Sequence, residues 1–287
     1  MKVDFFIVGA PKSGTTSLYH YLNQHQDICM SLIKEPNYFS SEELNDQGLY
    51  YKAKVISKLE SYHKIFIQEK DHQLLGEASV SYLFYQNVPL KIYKYNPTAK
   101  IIILLRNPIE RAHSHYLMDY RLGHTKISLD AILNDSSVKD HALLYQQYIE
   151  LGFYYNQVKR YVDVFGHDNV CVMLYDQLKE NNEELTNNII RFLNVDLNHG
   201  INFKTPYNRS KSSTNKIIQK LYSLTFIRKS VSFLFPNSII SYINKIFFNN
   251  KENSLSTRLE DKLYNLYSED ILLLEKMLKI DLSSWKR

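Results

Sequence analysis

The feature that most constrains the fold is a short loop bounded by glycines near the start of the chain. The run Val3–Val8 is mostly apolar, which predicts a buried strand, and Thr15–Asn23 has the apolar spacing of a helix. The segment between them reads Gly9-Ala-Pro-Lys-Ser-Gly14. A tight turn from a strand into a helix presents backbone N–H groups and the positive end of the helix dipole. The sequence therefore predicts an anion site within this first strand–helix unit.

Two further strand–helix units define the fold class. The apolar runs KIIILL at 100–105 and VCVML at 170–174 predict strands. The segment Asn107–Glu110 suits the start of a helix that we expect to end near Tyr120, and a second helix is predicted over about 180–193. Strands that alternate with helices favour an α/β fold with a P-loop-like central parallel sheet flanked by helices. In such sheets, ligands bind at the carboxyl ends of the strands.

Length and charge bear on the domain organisation. The 287 residues, of which 44% are hydrophobic, can form one large core, and we interpret 1–287 as a single domain. The formal charge of +5 is a mild bias that does not by itself predict nucleic-acid binding. Ten Lys or Arg and one acid lie between 204 and 258, however, which predicts a basic helical subregion that attracts anions. Its apolar part, 222–248, is divided by Pro236 into two predicted short helices and suits a lid, an oligomer interface or a peripheral membrane contact.

Several classes of protein are disfavoured. The first residues do not resemble a signal peptide, because their apolar run is short and leads directly into the glycine turn. No run reaches the roughly 18 apolar residues of a membrane span. Two cysteines, Cys29 and Cys171, cannot form a disulfide framework or a four-cysteine zinc site. We therefore expect a soluble cytoplasmic protein without a metal cofactor.

The glycine loop is close to the P-loop that binds nucleotide triphosphates but differs in the place of its lysine. The P-loop motif G-x-x-x-x-G-K-[ST] has Lys after the second glycine, whereas this chain has Thr15 there and carries Lys12 inside the loop. A lysine inside the loop can lie over one phosphate and the group attached to it. A strand–turn–helix corner with a surface lysine is the plain structural alternative.

The loop P-K-S-G-T-T resembles the 5′-phosphosulfate loop of sulfotransferases that use 3′-phosphoadenosine-5′-phosphosulfate (PAPS). The resemblance implies that Lys12 contacts the bridging oxygen and the sulfate. It also implies that Ser13, Gly14, Thr15 and Thr16 hold the 5′-phosphate.

A second motif follows the strand KIIILL. Arg106 leaves this strand at its carboxyl end, and Ser114 lies about two helical turns later, on nearly the same side as Asn107. Arg and Ser side chains can together hold a phosphate, the Arg through charge-assisted hydrogen bonds. The run L-R-N-P-I-E-R-A-x-S resembles the family's 3′-phosphate motif, which implies that Arg106 and Ser114 bind the 3′-phosphate of PAPS and of its product PAP.

The resemblance extends over nearly the whole chain and is closest to the carbohydrate and heparan-type branch with its bacterial relatives. That branch often has a basic loop containing glycine in its last third. Here the corresponding segment is Asn208–Ser212, which lacks glycine, and the resemblance implies that Arg209 and Lys211 are donor ligands.

The acceptor side is predicted from a carboxylate after the first helix. The segment Lys34–Phe39 resembles the family's Lys-Glu-x-x-x-Phe stretch, which implies that Glu35 is the general base and that Lys34 helps to position the sulfate. Glu77 is the other candidate base, and His20 or His25 are less favoured ones.

These observations predict a PAPS-dependent sulfotransferase that moves a sulfuryl group to a hydroxyl or amine, with a glycan or glycolipid as the preferred acceptor class. Two alternatives are a P-loop kinase of a small hydroxylated substrate and a nucleotide-binding protein without catalysis.

Overall fold

A computed structural model of the protein describes residues 1–48, 55–67, 73–197, 200–204 and 255–286. Arg209, Lys211 and the two short helices predicted within 222–248 lie outside these residues, so the interpretations that rest on them stay predictions.

The centre of the molecule is a five-stranded sheet in the order β2-β3-β1-β4-β5. Every strand pairing is parallel. The predicted α/β class with a parallel sheet is therefore confirmed. The strands are β1 (Phe5–Gly9), β2 (Ile28–Met30), β3 (Leu74–Ala78), β4 (Lys100–Leu105) and β5 (Val170–Leu174).

Helices connect the strands and cover both faces of the sheet. Within the described ranges they are α1 (Thr15–Leu22), α2 (Ser41–Gln47), α3 (Leu59–His63), α4 (Val88–Tyr95), α5 (Pro108–Leu122), α6 (Leu129–Asn134), α7 (His141–Tyr148), α8 (Tyr154–Phe165), α9 (Tyr175–Glu180), α10 (Asn182–Leu193) and α11 (Thr257–Leu278). Asn107 caps α5 as predicted, because its side chain accepts a hydrogen bond from the backbone N–H of Ile109 at 3.0 Å.

The core has two layers because side chains alternate along the central strands. Phe6 and Val8 face the layer that contains α4, α8 and α11, whereas Phe5 and Ile7 face the layer that contains α1 and α10. All four side chains are fully buried. Burial of a side chain of this size contributes roughly 1.5–3 kcal/mol, which explains why the apolar run forms the central strand.

The order of the strands creates a crevice between β1 and β4. The chain leaves β1 towards β2 on one side of the sheet and leaves β4 towards β5 on the other side. The connections thus diverge at the carboxyl ends of two hydrogen-bonded neighbours, the topological switch point at which open α/β sheets bind ligands. The two predicted phosphate motifs follow these two strands.

Candidate active site

The backbone of the glycine loop adopts a conformation at Gly14 that requires glycine. Gly14 has φ +87°, a left-handed conformation that L-residues with a side chain rarely adopt. A Cβ atom at this position would lie 2.5 Å from Cδ2 of Leu178 and 3.0 Å from the ring of Tyr175. The loop therefore packs closely against α9, and only glycine fits at this point.

Ser13 is the clearest sign of a ligand in the loop. Its side chain is fully buried, and its hydroxyl has no hydrogen-bond partner among the described residues. Helix α1 begins beside it without a side-chain N-cap, so backbone N–H groups of its first turn are left for another acceptor. Buried polar groups are nearly always hydrogen-bonded. A phosphate oxygen would satisfy the Ser13 hydroxyl, so the residues that are present fit the 5′-phosphate of PAPS.

Lys12 lies in the crevice in a strained backbone conformation, with φ +69°. Its Nζ lies 3.3 Å from Sδ of Met118 on α5. Burial, followed by the positive charges of Arg121 and Arg106, lowers the pKa of Lys12 to about 8, while the negative charges of Asp119 and, to a smaller extent, Glu35 act in the opposite direction. An anionic group bound over Lys12 would therefore remove an existing electrostatic cost.

Arg106 joins the second motif to the first. Its Nη1 donates to the backbone carbonyl of Lys12 at 3.3 Å, and its guanidinium lies over the ring of Tyr175, 4.8 Å from the centroid. The guanidinium also pairs with Glu110 through Nε and Nη2, at 3.0 and 2.9 Å. The side chain is 19% exposed, so it is largely desolvated but can still be reached by a ligand.

One face of α5 looks towards the loop. Ser114 is half-buried on this helix, and Met118, which contacts Lys12, lies one turn further along. Residues four apart share a helix face, so Ser114 lies on the side of α5 that borders the crevice. The next turn brings Arg121 into electrostatic range of Lys12. The sequence interpretation missed Met118 and Arg121, although the spacing 114, 118, 121 could have indicated them.

Glu35 also belongs to the crevice. Its backbone N–H donates to the carbonyl of Ala78 at 2.8 Å, which holds the segment after β2 against the end of β3. The carboxylate pairs with Lys34 at 2.5 Å, remains 40% exposed and interacts electrostatically with Lys12. The structure thus brings together the predicted base and the predicted sulfate contact.

The other candidate bases do not share this position. Glu77 is fully buried and accepts hydrogen bonds from three hydroxyls, so an acceptor cannot reach it. His25 is buried and bonded to the backbone carbonyl of Asp196 at 2.9 Å, which gives it a structural role. His20 is half-buried beside Lys34, and burial and then the Lys34 charge lower its pKa.

The basic residues of the second motif separate into two groups. Arg111 is fully buried on α5 and donates to the backbone carbonyls of Gln147 and Tyr148. His115 is buried beside it and also bonds to the carbonyl of Gln147. These two residues hold α5 against α7, whereas Arg106 faces the crevice.

Comparisons with known proteins bear on the family and the fold of the chain. A family model described as "Sulfotransferase domain" matches residues 2–278. The chain is 22% identical over 277 residues to mouse carbohydrate sulfotransferase 15, a match that covers 77% of this chain and 49% of the relative. The chain thus spans about half the length of this relative.

Two solved structures share the fold. A sulfotransferase from Alicyclobacillus acidocaldarius is 28% identical, with a TM-score of 0.72 and complete coverage of both chains. The mouse sulfotransferase SULT7A1, solved in complex with PAP, has a TM-score of 0.53 at 16% identity, over 98% of this chain and 90% of its own. Within the described ranges of the present chain, no helix has the length and apolarity needed to span a bilayer.

Proposed function

Because the chain belongs to the sulfotransferase domain family, we propose that it transfers a sulfuryl group from PAPS to a hydroxyl or amine acceptor. One observation carries the proposal: Arg106, which follows β4, and Glu35, which follows β2, both interact with Lys12 at the carboxyl edge of the sheet. In this proposal, Arg106 and Ser114 hold the 3′-phosphate and the glycine loop holds the 5′-phosphosulfate.

The proposed reaction is an in-line displacement at sulfur. The acceptor oxygen or nitrogen forms a bond to sulfur while the bond from sulfur to the bridging phosphate oxygen breaks. The electron pair of the broken bond stays on PAP, and Lys12 stabilises the charge that develops on that oxygen. Glu35 accepts the proton that the acceptor loses. The short contact with Lys34 orients the Glu35 carboxylate before the acceptor arrives.

The proposed acceptor is a carbohydrate or glycolipid hydroxyl. Support comes from the sequence similarity to a carbohydrate sulfotransferase, which spans most of this chain. A panel of glycans, glycolipids and amines with radiolabelled PAPS tests this assignment. The cytoplasmic location, the absence of a metal and a peripheral membrane contact stay predictions.

The test of the mechanism is Glu35→Gln, which keeps the size of the side chain and removes its basicity. We expect kcat to fall by at least about 100-fold, the lower end of the usual contribution of a general base, while PAP affinity stays within about threefold. The matched control is Glu43→Gln, because Glu43 also pairs with a lysine, Lys91, at 2.9 Å but lies on α2. Normal turnover by Glu35→Gln would reject this base and leave His20 as the candidate. A wild-type chain that binds PAP but transfers sulfate to no acceptor would be a binding protein.

A further inference from the structure

The segment that carries Glu35 is held in an unusual backbone conformation. Glu35 has φ +60° and Asn37 has φ +54°, both in the left-handed region that residues with a Cβ seldom adopt. Such a conformation is strained for Glu and better tolerated by Asn, and it persists where surrounding contacts enforce it. The contacts that hold this segment therefore determine where the Glu35 carboxylate points.

The enforcing contacts come from the segment that follows β3. The backbone N–H of Asn37 donates to Oγ of Ser79 at 3.0 Å, and the backbone N–H of Phe39 donates to the hydroxyl of Tyr82 at 3.1 Å. The Asn37 side chain also donates to the Glu35 carbonyl at 2.9 Å. Two of these three contacts thus end on side-chain hydroxyls.

Both hydroxyls are fixed by one buried carboxylate. Ser79 donates to Oε1 of Glu77 at 2.5 Å, and Tyr82 donates to Oε2 of Glu77 at 3.1 Å. A hydroxyl has one proton, so once it donates to Glu77 its lone pairs are left for the N–H groups of Asn37 and Phe39. Glu77 therefore sets the direction of the two hydrogen bonds that the backbone of Asn37 and Phe39 makes to side-chain hydroxyls, beside the backbone bond from Glu35 to Ala78.

We propose that Glu77 is a positioning residue, which places the Glu35 carboxylate through Ser79 and Tyr82 without touching either substrate. The inference rests on the proposed function, in which Glu35 accepts the proton. A buried carboxylate is an expensive way to stabilise a core, because apolar side chains of similar volume usually do so at lower cost. Glu77 orients the hydroxyl oxygens of Ser79 and Tyr82 so that both accept hydrogen bonds from one strained loop. This positioning role explains why a buried carboxylate is present here.

The chain offers a matched set of variants. Tyr82→Phe and Ser79→Ala each remove one hydroxyl that links Glu77 to the loop. Tyr62→Phe is the control, because Tyr62 on α3 is equally buried and also donates to Oε2 of Glu77, at 2.6 Å. The substitution keeps the ring, which packs against Tyr38 and Phe39, and removes only this donor. Glu77→Gln is less informative about the loop, because its amide N–H₂ would face hydroxyl protons and disturb all three hydrogen bonds to Glu77 at once.

The first measurement is independent of activity. Amide hydrogen exchange should become roughly tenfold faster at Phe39 in Tyr82→Phe and at Asn37 in Ser79→Ala, the change expected for the loss of one hydrogen bond. Tyr62→Phe should leave both rates within about twofold. Unchanged exchange at Phe39 and Asn37 in the first two variants overturns the inference whatever the enzyme does.

The second measurement is kinetic. Tyr82→Phe and Ser79→Ala should lower kcat by roughly 10- to 100-fold, the effect of a small displacement of a catalytic group, with unchanged PAP affinity. Tyr62→Phe should keep kcat within about threefold, and in a Glu35→Gln background Tyr82→Phe should cause no further loss. Equal losses for Tyr82→Phe and Tyr62→Phe would show a merely structural network. Normal turnover by Glu35→Gln alone refutes the proposed base, and the exchange rates still report whether Glu77 holds the loop.

Discussion

The buried carboxylate of Glu77 makes a quantitative prediction about stability and pH. Burial raises the pKa of Glu77 from the ordinary 4.5 to about 7, although the hydrogen bonds from Ser79, Tyr62 and Tyr82 act in the opposite direction. Below about pH 4.5 the group is protonated in both the folded and the unfolded chain, so it adds no pH dependence. Between the two pKa values the unfolded chain ionises while the folded chain keeps its proton. The free energy of unfolding should therefore fall as pH rises through this window and level off above about pH 7.

The size of the effect follows from the difference between the two pKa values. A shift from 4.5 to about 7, at about 1.36 kcal/mol per pKa unit, corresponds to a loss of about 3 kcal/mol across the window. Other groups titrate in the same range, among them Asp270, whose pKa burial raises to about 6. The comparison of wild type with Glu77→Gln isolates the contribution of Glu77, because the amide does not titrate.

The assay is urea unfolding at a series of pH values from 4.5 to 8, followed by fluorescence of Trp285, the single tryptophan, which is buried. Between pH 4.5 and pH 8, the free energy of unfolding of wild type should fall by about 3 kcal/mol relative to that of Glu77→Gln. Tyr62→Phe removes a hydrogen-bond donor that favours the ionised Glu77 carboxylate, which raises the pKa of Glu77 further. The fall in the free energy of unfolding with pH should therefore be larger in this variant than in wild type. Parallel pH profiles for wild type and Glu77→Gln would refute the reasoning.

Three further predictions concern the donor site. Arg106→Ala should weaken PAP binding by roughly 2–5 kcal/mol in calorimetry, whereas Arg191→Ala, on the exposed side of α10, should not change it. Gly14→Ala should lower Tm and abolish the rise of Tm with PAP, since its Cβ would meet Leu178 at 2.5 Å; an unchanged PAP response would contradict the tight loop. PAP binding should weaken as pH rises through about 8, where Lys12 loses its charge, and Lys12→Arg should flatten this profile.

The sequence predicted the strands that are continuous apolar runs and missed the other two. β1, β4 and β5 lie close to their predicted bounds. β2 has only three residues, and β3 contains Gly76 and Glu77, which interrupt any apolar pattern. Gly76 is required there because a Cβ would lie 2.2 Å from the ring of Phe5, a contact that only the assembled sheet creates.

In the site, too, the residues within local sequence motifs were predicted, whereas those that depend on tertiary contacts were not. Lys12, Arg106 and Glu35 were predicted because each lies within a local motif beside a strand or helix end. The proposed role of Glu77 could not be predicted, because Tyr62 comes from α3 and the loop held by Ser79 and Tyr82 follows β2. The sequence also gives no sign that a carboxylate in GEASVS is fully buried.

The central position of β1 has a consequence for how the protein is made. Phe5 pairs with Gly76 on one side and Lys100 on the other, so the ribosome makes both partners long after it. The apolar segment FFIVG must therefore stay unpaired until β3 and β4 have been synthesised. Such exposed strands are prone to aggregate, and long-range parallel pairing is slow. We expect nascent chains that stop before Lys100 to need a chaperone and to lack any affinity for nucleotide.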